Sequence, residues 1–321
     1  MMQWARLGGV VGLVALSALS ACVDAPPVPP PPVAEDLPPP PVPPVPVPPQ
    51  LSAASQALAA YYARLQADLL AQGLLRGDAS PADAPFTDAM LARDFVRIAL
   101  FDEYVEEGGD LRPQARISRL RRWEGPVRVS VEFGPTIPAA QQTRDRASVG
   151  AYVARLARLT GHPIRQTGAE VANFHVLFLN EEDRLALEPR LRALAPGIAD
   201  ASIRAVLNMP RSTYCLVVGF SEGDSPVYAQ AIVIIRGEHP DLMRLACIHE
   251  EIAQGLGLVN DSPEARPTIF NDNEEFGLLT VHDEMLLKIL YDPRLTPGMT
   301  AAEAAPIARQ IAAELLGGEP V

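Results

Sequence analysis

The stretch HEEIAQGLGLVND, His249 to Asp261, has the pattern of a polar helix end followed by a glycine-rich bend. Glu250 and Gln254 are four residues apart, so they project from one face of a helix and can reach a common point. Glu251 lies to the side of that face, where its carboxylate could take a proton from a bound water. The stretch therefore predicts a helix whose last turn carries polar side chains into a site.

The residues after the helix extend this predicted site. Gly257 permits a sharp turn that ends the helix and brings Asn260 back toward the same point. Two interpretations remain open: the polar residues hydrogen-bond to one another and fix the helix–loop junction, or they line a cleft that binds a ligand. The residues of that cleft would be Glu250, Gln254, Asn260, Asp261 and Phe270.

The sequence on both sides of this stretch alternates between strand and helix patterns. Strands are predicted at 127–133, 174–179, 214–220 and 228–235, and helices at 148–160 and 241–256. Two earlier helices, at 51–72 and 87–107, end at glycines and predict a helical lead-in packed on the main domain. Strand, helix, several strands and then the opening helix predict an α+β domain with a mixed sheet.

In the register 250–260 the segment EEIAQGLGLVN resembles the metzincin zinc-protease signature His-Glu-x-x-His-x-x-Gly-x-x-His. The preceding order of elements is similar to the upper half of the zincin fold, 268–271 occupies the place of the Met-turn, and 279–291 looks like the closing helix of matrixin-type proteases. The segments NDS, IFND, LTVHDE and LLKILYDPRLTPGM closely resemble DUF2927, a family of proteobacterial lipoproteins, over 119–299. The resemblance implies a zincin-like domain there.

Three departures from the signature bear on the chemistry of the site. Glu250, Gln254 and Asn260 stand where the active proteases have histidines, and Phe270 stands where the Met-turn has its methionine. Catalytic zinc is held mainly by imidazole nitrogen or thiolate, so one carboxylate and two amides form a poor zinc site. Such a set would favour a weakly bound hard cation such as Ca²⁺. His282 is a further candidate ligand, although a structural role beside Asp283 also explains it.

We therefore predict a domain without a cofactor that binds a peptide or protein in the inherited cleft and performs no catalysis. The alternative is a metal-dependent peptidase or other hydrolase in which Glu251 is the catalytic general base. His249 begins a second His-Glu pattern, but Ala253 stands where that pattern needs its next histidine. His249 is therefore predicted to lie on the helix surface or to be hydrogen-bonded.

The start of the chain has the pattern of a secretion signal. An apolar run at 7–18 is followed by LSAC at 19–22, which resembles a bacterial lipoprotein signal and implies that Cys22 is acylated. We predict an envelope protein anchored to a lipid membrane through Cys22, in the outer membrane and facing the periplasm. The predicted parts are a signal peptide at 1–21, a linker at 22–50, the lead-in at 51–118, the zincin-like domain at 119–299 and a helical tail at 300–321.

The linker contains 15 of the 33 prolines, which favours an extended polyproline spacer. Cys215 and Cys247 remain after lipidation, and an oxidising periplasm favours a disulfide between them, with a free buried pair as the alternative.

The 39 acidic residues outnumber the 27 basic ones, which argues against nucleic acid as a partner. Five arginines between 112 and 122 are predicted to form a solvated helix face.

Overall fold

A computed structural model describes residues 50–317. The predicted signal peptide, Cys22 and nearly all of the proline-rich linker lie outside the described residues. The described chain begins with helices α1 (Ala53–Ala71) and α2 (Asp88–Ala99), followed by a hairpin of strands β1 (Phe101–Glu107) and β2 (Asp110–Ile117). Among the described helices, none combines the length and the apolar character that crossing a bilayer requires.

A five-stranded mixed sheet forms the centre of the domain. Its strands are β3 (Val127–Phe133), β4 (Ile164–Gln166), β5 (Phe174–Leu179), β6 (Cys215–Ser221) and β7 (Tyr228–Arg236). Their spatial order is β4-β3-β5-β7-β6. The first four strands of that order are parallel, and β6 pairs antiparallel to β7 at the edge.

Seven further α-helices of the described chain lie between the strands of this sheet or after its last strand. They are α3 (Ala139–Thr160), α4 (Glu181–Leu185), α5 (Glu188–Leu194), α6 (Asp200–Leu207), α7 (Asp241–Gln254), α8 (Val281–Leu290) and α9 (Ala301–Leu315). Every residue of β5 is buried, as expected for a parallel strand covered on both faces. Phe174 and Val176 face the main hydrophobic core, whereas Leu177 and Leu179 face a smaller second core. The period of two along the strand therefore separates the two cores.

The predicted α+β class with a mixed sheet is confirmed, and strands β3 and β5 have the predicted bounds. The helix predicted at 87–107 is wrong beyond Ala99, because residues 101–107 form β1. The hairpin turn uses Gly108 and Gly109 at φ of 63° and 85°, a conformation that glycine tolerates. The basic segment at 112–122 is consequently strand and extended chain and does not form the predicted helix face.

Helices α2 and α9, which are far apart in the sequence, pack together in the main core. Phe95 and Ile98 of α2 are fully buried there beside Ala308 of α9. The second half of the predicted lead-in is therefore part of the main domain. Thr300 caps α9, and Pro306 lies inside this helix.

Candidate binding pocket

A cavity of about 1230 Å³ lies beside the C-terminal turn of α7. Its walls are the edge strand β6, the β1–β2 hairpin, the end of α7 and the loop that follows α7. The hairpin closes one side, because its tip is tied to α6 by the Arg204–Asp110 ion pair at 3.2 Å. The stretch 249–261, with which the sequence analysis began, therefore contributes residues to the floor of a pocket.

Covalent and backbone contacts hold α7 against the sheet. A disulfide joins Cys215, at the start of β6, to Cys247 in α7, which confirms the predicted pair. Just after α7, the Gly255 carbonyl accepts a hydrogen bond from Trp123 Nε1 at 2.8 Å. Gly257 has φ of 131°, and a Cβ at this position would lie 2.4 Å from the Arg121 carbonyl oxygen. Only glycine fits this turn, as the sequence predicted.

Eight carboxyl groups line the pocket, and six of them, without Asp224 and without Asp102, which pairs with Arg121, are named the acid cluster. Its members are Glu103, Glu250, Glu251, Asp261, Asp272 and Glu274. They come from the hairpin, which is distant in the sequence, and from the end of α7 and the loop that follows it. Glu251 is 4% exposed and is the most buried member.

Burial and mutual repulsion raise the pKa of the acid cluster. Burial is the larger cause for Glu250, and repulsion from Glu251 and Asp261 adds to it, so its pKa lies well above the usual range. The pKa values of Glu251 and Asp261 are raised well above their usual range by burial and by Glu103. Burial raises the pKa of Glu103 to about 7. The cluster therefore binds protons more readily than ordinary carboxyls.

Within residues 50–317, no arginine, lysine or histidine forms an ion pair with a member of the acid cluster. Arg116, Arg119 and Arg121 line the same pocket. Arg121 pairs with Asp102 at 2.6 Å, and Arg119 donates to the Gly298 carbonyl at 3.0 Å. No basic side chain of the described chain is therefore available to pair with an ionised member of the cluster.

Glu251 illustrates the energetic cost of this arrangement. Its Oε2 is buried and has no hydrogen-bond partner among the described residues. It also lies in the last turn of α7, where the helix dipole disfavours negative charge and where no basic residue compensates. An unpartnered buried carboxyl of this kind is destabilising for the free protein, so a packing role alone does not account for it.

The structure brings together three of the five residues predicted for the cleft, Glu250, Gln254 and Asp261. Glu251, predicted as the general base of the alternative hydrolase, lines the same pocket. Gln254 Nε2 lies 3.5 Å from Asp261 Oδ1. Asn260 is buried, and its amide donates to the carbonyls of Arg97 at 2.9 Å and Asp261 at 2.7 Å, so it fastens the loop to the end of α2. Of the two interpretations of the polar residues, hydrogen bonding that fixes the helix–loop junction therefore applies to Asn260.

Two further predicted residues lie away from the pocket walls. Phe270 is fully buried in the main core. His282 is also fully buried, and its Nε2 lies 3.3 Å from Asp94 Oδ2. Burial lowers the pKa of His282, but contacts with Asp283 and Asp94 outweigh it, so the net pKa is raised. His282 therefore connects α8 to α2 in the core.

The residues present do not fit the zinc ion that the metzincin resemblance would imply. Gln254 is directed at Asp261, and the Asn260 amide is committed to backbone carbonyls. In the described part of the chain, only Cys215, Glu250 and Glu251 form a group of three ligand atoms within 4.8 Å. Because the Cys215 sulfur is in a disulfide, it is not a thiolate ligand. Two carboxylates alone do not form a zinc site.

His249 precedes Glu250 in α7 and makes its contacts outside the pocket. Its Nδ1 accepts a hydrogen bond from the Leu279 amide at 3.0 Å, and its ring stacks on Tyr152 with centroids 4.1 Å apart. Burial lowers the pKa of His249 to about 3, so the ring is neutral at physiological pH. The prediction of a hydrogen-bonded histidine is confirmed, although the residue is buried and not on the helix surface.

Three members of the acid cluster were not predicted from the sequence. Glu103 falls in the segment predicted as helix. Asp272 and Glu274 belong to the segment NDNEE at 271–275, which was not among the residues predicted for the cleft. Asn271 and Asn273 do accept turn hydrogen bonds from the amides of Asn273 and Glu275. The signal that sequence analysis could have used for Asp272 and Glu274 is the density of acids at 272–275.

The positive φ values of Asp272 and Glu274, 58° and 57°, are unusual for residues other than glycine. They set the backbone of the loop that faces the end of α7. Strained backbone of this kind is frequent at functional sites because the surrounding structure must hold it in place. The loop therefore has the features of a shaped wall of the pocket.

The comparisons with known proteins give one match. The family model described as "Protein of unknown function (DUF2927)" matches residues 88–310, from the first residue of α2 into α9, and includes the whole pocket. No curated protein and no solved structure is significantly similar to the chain. The chain belongs to the DUF2927 family.

Proposed function

We propose that this chain is a lipid-anchored envelope protein whose pocket binds an extended peptide segment of a partner without catalysis. The observation that carries the proposal is the position of β6. Residues 215–219 of this edge strand line the pocket. Among the described strands only β7 pairs with β6, so its second edge offers backbone donors and acceptors to the cavity.

An extended peptide can satisfy such an edge by adding a strand to the sheet. Backbone pairing with β6 would provide affinity for an extended chain, and the pocket walls would select among its side chains. The cavity of about 1230 Å³ exceeds the roughly 300–1,000 Å³ usual for small-molecule sites, which favours a ligand several residues long.

The topology supports the zincin-like part of the proposal. Four parallel strands, an antiparallel edge strand and a helix ending at the cleft agree with the resemblance seen in the opening stretch. On such a scaffold a peptide lies along the sheet edge, beside the helix that carries the site residues. We propose that this chain keeps the peptide groove and has lost the metal chemistry.

The alternative, a hydrolase with Glu251 as general base, receives less support from the site. A general base must be ionised at the working pH. Burial and the neighbouring carboxyls Glu103 and Asp261 raise the pKa of Glu251 well above its usual range, which favours the protonated form. A protonated carboxyl cannot take the proton of an attacking water.

A peptide library tests the proposal directly. Full-length protein in detergent is screened against N-acetylated, C-amidated octapeptides, and each binder is then N-methylated at one backbone position at a time. We expect alternate N-methyl groups to lower the affinity at least tenfold, because every second amide of a paired strand bonds to β6. Mass spectrometry of the bound peptides should find them intact.

Peptide cleavage that disappears in Glu251→Gln would replace this proposal with the hydrolase. The absence of any binder at millimolar peptide would remove the peptide groove altogether. The anchor is tested separately with Cys22→Ser. We expect the wild-type chain to partition into the detergent phase and the variant into the aqueous phase, whereas equal partitioning would contradict lipidation at Cys22.

A further inference from the structure

We infer that the acid cluster is the subsite for one basic side chain, arginine or lysine, of the bound peptide. This inference rests on the proposed function and names the class of ligand that the pocket selects. Its basis is the combination of six carboxyl groups that lack a described basic partner with an edge strand that begins beside them.

The first step concerns the charge of the subsite. The members of the cluster repel one another across the pocket, and Glu251 Oε2 is buried without a hydrogen-bond donor. A carboxylate in this environment is strongly stabilised by a cation that also donates hydrogen bonds. The free protein therefore presents an unfilled requirement for positive charge.

The second step concerns the size of the cation. Glu250 and Glu251 are the only two carboxyls of the described chain that share a group of three ligand atoms within 4.8 Å, and the third atom is a disulfide sulfur. A Ca²⁺ ion needs 6–8 oxygens at roughly 2.3–2.6 Å, so the cluster is not assembled around one ion. A guanidinium has five N–H donors spread over a plane and can bridge carboxyls that are further apart.

The third step links the subsite to the peptide. The Cys215 sulfur lies within 4.8 Å of the carboxyl oxygens of Glu250 and Glu251, and Cys215 is the first residue of β6. A peptide strand paired with β6 therefore passes close to the cluster at this end of the strand. Because alternate side chains of a strand point to the same face, one residue of the peptide would enter the subsite.

The other charges of the pocket restrict where the basic residue binds. Arg116, Arg119 and Arg121 line the same cavity and disfavour a second basic side chain near the hairpin. Asp102 is already paired with Arg121, so it does not compete for the ligand. The selected peptide should therefore carry its basic residue at one fixed position.

Matched peptides provide the test. For each octapeptide that binds, a twin is made in which citrulline, neutral and of nearly the same shape, replaces arginine. Fluorescence anisotropy compares the two on the wild-type chain, on Glu251→Gln and on the control Glu188→Gln. Glu188 belongs to α5, lies outside the pocket and has a side chain 46% exposed.

We expect the wild type to bind the arginine peptide at least tenfold more tightly than its twin, and the control variant to keep that ratio. In Glu251→Gln the ratio should fall to about threefold or less, because the loss of one charge-assisted hydrogen bond lowers affinity by about tenfold or more. Circular dichroism verifies that each variant is folded. If Glu251→Gln does not fold, Glu250→Gln takes its place.

Equal affinity of the wild type for both twins would overturn the basic subsite while leaving the peptide groove in place. A failure to bind any peptide would overturn both. Titration calorimetry of the peptide-free protein with CaCl₂ tests whether the acid cluster binds Ca²⁺ instead of a basic side chain. Stoichiometric, micromolar Ca²⁺ binding that is lost in Glu251→Gln would assign the cluster to a metal and contradict the inference.

Discussion

Cys215 in β6 and Cys247 in α7 form a disulfide that places their Cα atoms 5.9 Å apart. The bond joins the strand edge that would pair with a peptide to the helix that carries Glu250 and Glu251. Neither element can move away from the other while the bond is intact. Both halves of the proposed groove therefore depend on the oxidised state of this pair.

Replacing both cysteines by alanine should lower the free energy of unfolding by about 3–4 kcal/mol, the chain-entropy value for a loop of 32 residues. Urea denaturation measures this change. Dithiothreitol should produce a similar loss in the wild type and none in the double variant. If dithiothreitol left the free energy of unfolding of the wild type unchanged, the bond would not stabilise the domain.

Gly257→Ala should destabilise the domain by roughly 3 kcal/mol or more, because the new Cβ would lie 2.4 Å from the Arg121 carbonyl oxygen. Gly73→Ala is the control. Gly73 also has a positive φ, 77°, but a Cβ there meets no atom within 4 Å. Its change should be only about 1 kcal/mol. Equal losses in the two variants would show that backbone strain, not the contact with Arg121, governs Gly257.

The raised pKa of Glu103 should make the stability of the unliganded protein depend on pH. The folded state keeps a proton on Glu103 up to about pH 7, whereas the unfolded chain releases it near pH 4.5. The stability that the protonated Glu103 contributes, relative to an ionised Glu103, is fully present below pH 4.5 and is lost as the pH rises through 7. It amounts to about 3 kcal/mol at most.

Glu103→Gln isolates this effect, since the histidines contribute equally in both proteins. Between pH 5 and pH 8 the free energy of unfolding, measured by urea denaturation, should fall more in the wild type than in the variant. The groups facing Glu103 are Tyr104, Glu251, Asp261 and Asp272. Glu188→Gln is the control and should follow the wild-type curve. A difference independent of pH would refute the assignment.

Asn260→Ala separates the loop anchor from the ligand site. The variant leaves the Arg97 carbonyl, at the end of α2, without the amide donor that now lies 2.9 Å away. We expect a loss of about 1–3 kcal/mol in unfolding free energy. The affinity ratio of arginine and citrulline peptides should stay at the wild-type value. A collapse of that ratio would place Asn260 in the ligand site.

Short-range patterns allowed much of the fold to be predicted. The alternation in 127–133 and the buried run at 174–179 fix β3 and β5, and Gly161 ends α3 in the left-handed conformation. The segment 101–107 was misassigned because its strand character depends on pairing with β2 across a two-glycine turn. Tertiary pairing overrides local helix propensity there.

The candidate site was predicted only where its residues are close in sequence. Glu250, Glu251 and Gln254 share one helix turn, so their spacing reveals them. Glu103 and Glu274 reach the same pocket from the hairpin and from a loop, and no periodicity connects segments so far apart. Asn260 was placed on the correct turn, but hydrogen bonding to the end of α2 decides where its side chain lies.

Hydrogen–deuterium exchange of the protein with its tightest arginine octapeptide tests the central claim most directly. Peptide pairing on β6 should slow exchange in Cys215–Ser221 and leave the opposite edge strand, Ile164–Gln166, unchanged. The citrulline twin at the same concentration should give clearly weaker protection. Saturating peptide that leaves the β6 amides as fast as in the free protein would contradict the account.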